Sequence, residues 1–195
     1  MLGAVLAGGE SRRFGEDKAG ARLGGLTLVE RAAETLARVF EHVVVVSSRA
    51  PTTPRWAHVP DARPGLGPLA GIESALLRAR ADGYDGAFVL ACDMPLVDER
   101  TVRAVLDALG DAWAAAPAPE GGGSIEPLCA AYRVECLQAL GEALDRSRLA
   151  AHQLLAAVRG VTLALPPQPF LNVNTREDHA RAMAVVERVV DREGR

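Results

Sequence analysis

Cations and glycines crowd one stretch near the start of the chain, Leu6-Ala7-Gly8-Gly9-Glu10-Ser11-Arg12-Arg13-Phe14-Gly15-Glu16-Asp17-Lys18. Exposed backbone N–H groups at Gly8 and Gly9, with Arg12, Arg13 and Lys18 nearby, make an anion cradle, and a polyphosphate is its natural ligand. The familiar phosphate loops fit badly. A Walker A loop needs Gly-Lys followed by Ser or Thr, whereas Lys18 follows Asp17 and precedes Ala19. The dinucleotide fingerprint needs G-x-G-x-x-G, and the glycines here stand at 8, 9 and 15. A plain glycine-rich turn would account for the glycines but not for the spacing of the cations.

Two carboxylates could complete such a site. Asp93 follows the apolar run 86–91, at a strand end where an unpaired charge would be expensive to bury. Pro95 restricts Met94 to extended geometry and sets how the turn leaves the strand. A hard oxygen ligand beside a phosphate cradle suggests Mg²⁺, which takes one or two protein carboxylates together with phosphates and water. The competing role, capping the next helix, suits Asp98 better. Asp61 follows a short strand near Pro60 and reads equally well as a residue capping its own turn.

Other reactive side chains do not assemble. His42, His58, His152 and His179 lack metal spacing, and Ser11 and Ser124 lack the G-x-S-x-G elbow. Cys92 reads as a buried strand-end thiol. Arg146 and Arg148 read equally as a phosphate contact and as a solvated helix start.

The elements that must position these groups follow from hydrophobic period and punctuation. A buried strand precedes the loop at 3–7. Thr27 and Glu30 form a capping-box pattern for a helix over 27–40, with Leu28, Ala32, Leu36 and Val39 on one face. The Val43-Val44-Val45-Val46 run predicts a strand at 42–47 that is covered on both sides, as in a parallel sheet. A glycine-rich turn over 65–71 leads into a second helix carrying Leu69, Ile72, Leu76 and Ala79. Strand 86–91 and a helix from Asp98 to Leu109 come next. Residues 113–116 and 128–132 read as strands, with the segment 117–124, containing Gly121-Gly122-Gly123, as a mobile loop between them. Helices at about 134–145 and 149–158, a strand at 161–165 and a final helix after Thr175 complete the chain. Alternation of strand and helix over the first 110 residues predicts a three-layer α/β fold with a mainly parallel twisted sheet, read as one domain over 1–195. Ligands of such sheets bind beyond the carboxyl ends of the strands, where the loop after strand one, Asp61 and Asp93 all fall.

Composition narrows the function classes. The 195 residues carry a net charge of −3 and only 4% aromatic side chains, which argues against nucleic-acid binding. Three cysteines without a C-x-x-C pair fit a reducing cytoplasm, and no apolar run is long enough for a membrane span. The chain enters a strand at once, without the basic start of a leader. A cytoplasmic protein is expected.

The stretch Leu6–Lys18 resembles the pattern L-A-G-G-x-S-x-R-[FM]-G-x-D-K, the signature loop of the MobA-like molybdenum cofactor guanylyltransferases. Asp61, Gly67-Pro68-Leu69-Ala70-Gly71, Cys92-Asp93-Met94-Pro95 and Asn172-Val173-Asn174-Thr175 follow in the order and approximate spacing of that family. The resemblance implies a Rossmann-like nucleotidyltransferase fold. It also implies transfer of GMP from GTP to the terminal phosphate of Mo-molybdopterin, with release of pyrophosphate. Leu6, Ala7, Gly8 and Gly9 would contact the nucleotide and Lys18 its phosphates, with Arg13 assisting. Asp61 would contact the nucleoside and Asp93 the Mg²⁺, while Asn172, Asn174 and Thr175 would lie toward the pterin.

Cofactor-biosynthesis proteins and molybdoenzymes would be transient partners. The chain departs from the family where Val46, Ser47 and Ser48 replace an Asn that usually follows the second strand, and where Thr175-Arg176-Glu177 replaces Thr-Pro-Glu. The alternatives are a molybdenum cofactor cytidylyltransferase, less favoured by Gly8 and Met94, and a non-catalytic GTP-binding regulator, disfavoured by the joint presence of Lys18 and Asp93.

Overall fold

A computed structural model describes residues 1–8, 21–49, 55–146 and 151–193, with the backbone alone for residue 152 and for 189–193. Its strands are β1 (Leu2–Leu6), β2 (Arg22–Leu23), β3 (Leu26–Thr27), β4 (Val43–Ser47), β5 (Ala57–Pro60), β6 (Gly86–Ala91), β7 (Ala114–Pro119), β8 (Cys129–Arg133) and β9 (Gly160–Leu165). Its helices are α1 (Leu28–Ala37), α2 (Pro68–Ala81), α3 (Glu99–Leu109), α4 (Leu137–Asp145), α5 (Ala151–Ala157) and α6 (Arg176–Glu193).

Among the described residues, seven strands form one sheet in the order β5-β4-β1-β6-β8-β7-β9. Pairs β1–β4, β1–β6, β4–β5 and β7–β9 are parallel, and β8 runs antiparallel to both β6 and β7. The mainly parallel three-layer architecture is the expected one.

Strand alternation sorts the core into two layers. Val5, Val45, Phe88 and Leu90 face α1, α3 and α6 through Leu28, Leu36, Val102, Val105 and Ala182. Leu2, Ala4, Leu6, Val44, Val46 and Val89 face the opposite way, onto Leu69, Ile72 and Leu76 of α2, Leu140 of α4 and Leu154 of α5. Each such valine, leucine, isoleucine or phenylalanine contributes roughly 1.5–3 kcal/mol over leaving it in water, so both faces of β1 and β4 must be covered. That requirement explains the unbroken valine run.

The caps also form as the side chains dictate. Thr27 Oγ1 accepts from the Glu30 N–H at 3.1 Å and Glu30 Oε2 accepts from the Thr27 N–H at 2.8 Å, the reciprocal box that starts α1. These bonds hold the Glu30 carboxyl below its ordinary range. Asp98 Oδ1 accepts from the Thr101 N–H at 2.8 Å and caps α3.

Two expectations need correction. The segment 117–124 is not wholly a loop, because β7 continues through Pro117 to Pro119 along the whole of β9. The prolines are tolerated because β8 pairs with β7 only at Ala114 and Ala115. The Pro117 carbonyl, which accepts from the Glu126 N–H, points to that vacated side, so the missing N–H groups cost no ladder bond. Second, the β2–β3 hairpin interrupts the loop expected between the first strand and the first helix, turning on Gly24 and Gly25 at φ 59° and 87°. A Gly-Gly pair with both φ values positive is the turn that matches strand twist. His179 of α6 fastens this hairpin, its Nε2 lying 2.7 Å from the Arg22 carbonyl oxygen.

Candidate functional site

The site is built where the parallel strands end. The Ala7 N–H donates to the Val46 carbonyl at 2.9 Å, the Cys92 N–H to the Leu6 carbonyl at 3.1 Å, and the Asp61 N–H to the Ser47 carbonyl at 3.3 Å. Ladder bonding thus runs past β1, β6 and β5 and sets Ala7, Asp61 and Asp93 along one carboxyl edge. Leu6 is buried and Gly8 is exposed, and no described residue comes within 4 Å of where its Cβ would stand. Gly9, Arg12, Arg13 and Lys18 lie outside the described residues.

Asp93 leaves β6 half-buried. The turn is tight, with the Met94 N–H on the Ala91 carbonyl at 3.2 Å and the Val97 N–H on the Met94 carbonyl at 3.3 Å. With α3 capped by Asp98, Asp93 is not needed for that cap. The carbonyl of Asp93 accepts from the Val173 N–H at 2.8 Å, which brings the Asn172-Val173-Asn174 segment against the end of β6. Val173 is fully buried and serves as the anchor. Asn172 is half-buried, Nδ2 donating to the Phe170 carbonyl at 3.4 Å. Thr175 is tied to the start of α6: its Oγ1–H donates to Asp178 Oδ2 at 2.9 Å, while its N–H and that of Asn174 donate to the same oxygen at 3.0 and 3.1 Å. These bonds hold the Asp178 carboxyl below its ordinary range.

Asp61 Oδ1 accepts from the Arg63 N–H at 3.0 Å, so the Asx turn anticipated for it is formed. Beyond it, Gly67 adopts φ 76° and hands the chain to Pro68 in the first turn of α2, which explains the Gly-Pro step. At the end of β4 the Ser47 hydroxyl donates to the Arg49 carbonyl at 2.6 Å and is only 7% exposed, so it is committed internally, whereas Ser48 is exposed.

One carboxylate escaped the sequence reading. The β6–β8 register pairs Leu90 with Cys129, and the Ala91 N–H donates to the Leu128 carbonyl at 2.7 Å. The turn that leads into β8, closed by the Cys129 N–H on the Glu126 carbonyl at 3.1 Å, brings Glu126 within electrostatic reach of Asp93. Burial first, and then the Asp93 charge, push the Glu126 carboxyl above its ordinary range. Only the antiparallel insertion of β8 makes them neighbours, and no local pattern announces it. Among the described residues no group of three or more His, Cys, Asp or Glu could hold a metal. The histidines stay dispersed: His42 lies against Tyr84, and His58 against the Ser47 carbonyl.

A family model described as a MobA-like NTP transferase domain matches residues 3–162, from within β1 into β9, which includes Ala7, Asp61 and Asp93. The chain belongs to that family. Its members are nucleotidyltransferases, and this chain is one. A molybdenum cofactor guanylyltransferase of Desulfosudis oleivorans is 31% identical over 198 residues, covering 96% of each chain. A probable molybdenum cofactor guanylyltransferase of Bacillus subtilis is 36% identical over 190 residues, covering 91% of this chain and 92% of its own. The crystal structure of molybdopterin-guanine dinucleotide biosynthesis protein A from Archaeoglobus fulgidus superposes with a TM-score of 0.80 at 24% identity, over 96% of this chain and 100% of that one. That superposition establishes the shared nucleotidyltransferase fold. Among the described residues no helix is long and apolar enough to cross a membrane.

Proposed function

We propose that this MobA-like transferase joins GMP from GTP to the terminal phosphate of Mo-molybdopterin, forming molybdopterin guanine dinucleotide and pyrophosphate. The observation that carries the reading is the convergence of Ala7, Asp61, Asp93 and residues 172–174 on one edge of a nucleotidyltransferase sheet. Relatives named as guanylyltransferases across more than nine-tenths of the chain support the choice of nucleotide and acceptor.

The reaction needs no general base, because the attacking phosphate monoester oxygen is already ionised near neutral pH. It forms a bond to the α-phosphorus of GTP while the bond from that phosphorus to the β-bridging oxygen breaks, and pyrophosphate departs with the electron pair. Catalysis is therefore alignment and charge neutralisation. Leu6, Ala7, Gly8 and Gly9 would present backbone groups to the nucleotide, Asp61 would hold the nucleoside, and Lys18 and Arg13 would neutralise the departing pyrophosphate. Asp93 would hold a divalent cation as a hard oxygen ligand, with the nearby Glu126 as a second candidate, and Mg²⁺ is the natural choice. When bound, the cation would supply positive charge to the α-phosphate and the leaving group. Asn172 and Asn174 would face the pterin, and Thr175 would fix where that segment enters α6.

A single domain over 1–195 acting in the cytoplasm, with transient contacts to cofactor-biosynthesis proteins and molybdoenzymes, completes the proposal. The test is pyrophosphate release with Mg²⁺ and Mo-molybdopterin from GTP, CTP and ATP in turn. Release with GTP alone is expected. Release with CTP instead would move the chain to cytidylyl transfer, and tight GTP binding without release would make it a regulator.

A further inference from the structure

Among the described residues outside the reacting groups, one buried carboxylate is not used by the reaction. Glu73 lies on the covered face of α2 between Ile72 and Ser74, with its side chain only 8% exposed. A charge there is tolerated only when paired. Its partner is Arg63, whose Nε lies 3.0 Å from Glu73 Oε2, while Nη1 lies 2.6 Å from Asp145 Oδ1 on α4. The guanidinium suits this place because its planar fork offers donors to both carboxylates at once, which a lysine ammonium does not.

Arg63 belongs to the turn that carries Asp61. Its own N–H holds Asp61 Oδ1 at 3.0 Å, and its carbonyl accepts from the Leu66 N–H at 3.3 Å. Between them, the Ala62 N–H donates to Ser74 Oγ at 2.9 Å, and that hydroxyl donates to the Ala70 carbonyl at 2.8 Å. The turn is therefore latched to consecutive residues of α2, Glu73 and Ser74, and to the end of α4. Fixing Oδ1 on the Arg63 N–H fixes the plane in which Asp61 presents its second oxygen.

We propose that Arg63 and Glu73 are positioning residues for Asp61, and that their ion pair sets nucleotide affinity through that carboxylate. The inference rests on Asp61 contacting the nucleoside. Asp145, with its side chain 68% exposed, stands at the rim of the network and contributes little.

Calorimetric titration of the full chain with GTP, and separately with inorganic pyrophosphate, tests the proposal. Asp61→Asn keeps the acceptor for the Arg63 N–H but places an NH₂ where the second oxygen stood. It is expected to raise the Kd for GTP about fivefold to tenfold, the size of one lost hydrogen bond. Glu73→Gln is expected to raise it by a similar factor while leaving the Kd for pyrophosphate unchanged. In the Asp61→Asn background, Glu73→Gln should add nothing further. Arg63→Lys, at a half-exposed position, gives the same comparison without disturbing the covered face of α2.

Equal loss for GTP and pyrophosphate, or independent multiplication in the double variant, would overturn the positioning role. An unchanged GTP affinity in both Glu73→Gln and Arg63→Lys would overturn it too, with the Asp61 contact left intact. An Asp61→Asn protein that binds GTP normally would instead overturn the Asp61 contact and the inference together.

Discussion

The N–H of Val173 donates to the carbonyl oxygen of Asp93 at 2.8 Å, joining residues far apart in sequence at the end of β6. One bond thus ties the segment proposed to face the pterin to the residue proposed to face the cation. Val173→Pro removes the donor and is expected to lower turnover steeply. Val173→Ala keeps it and loses mainly packing, about 2 kcal/mol at a fully buried site, which appears as a lower Tm. Comparing kcat and Tm for the two variants separates the bond from the packing, and equal kcat losses would count against it.

Asp93→Ala is expected to lower turnover by at least about a hundredfold, the scale of losing a charge-stabilising group. Circular dichroism should be unchanged, because α3 is capped by Asp98. Retained activity would remove Asp93 from the cation site.

Lys18→Ala is expected to weaken GTP binding on the order of tenfold, as for a hydrogen bond to a charged group, with turnover falling too. Titration with GTP checks it, and an unchanged Kd would move Lys18 out of the phosphate site.

Glu126→Gln tests whether the carboxylate near Asp93 shares the cation. The Kd for Mn²⁺ in the presence of GTP, read by electron paramagnetic resonance, is expected to rise about tenfold. Equal affinity in variant and native chain would leave Asp93 as the sole proposed protein carboxylate.

The start of α6 should carry an acid-sensitive contribution. Hydrogen bonds from Thr175 and Asn174 lower the Asp178 carboxyl in the folded chain. The resulting stability is therefore full above the ordinary aspartate range and disappears as pH falls through the lowered value. As pH falls from 7 toward 3, the Tm advantage of the native chain over Asp178→Asn should shrink. A gap that persists at the acid end would assign it to another cause.

Much of the frame is legible from local pattern. The valine run of β4 specified a strand covered on both faces, and Thr27-Glu30 and Asp98 specified the starts of α1 and α3, because capping and hydrophobic period act over only a few residues. The Gly24-Gly25 turn was equally readable and was passed over. The prolines of β7 misled, because their missing N–H groups matter only on a side facing a partner strand, and which side that is depends on where β8 stops.

Residue types and spacing by themselves determined the family resemblance, the order of strands and helices, and the carboxyl edge on which Ala7, Asp61 and Asp93 lie. Tertiary structure decided which distant groups meet there. Glu126 comes near Asp93 in the turn that leads into β8, Val173 reaches Asp93 from the C-terminal segment, and Arg63 reaches Glu73 and Asp145 on two different helices. Such meetings depend on strand insertion and helix packing across long stretches of chain, and the short-range periodicities of a sequence do not encode them.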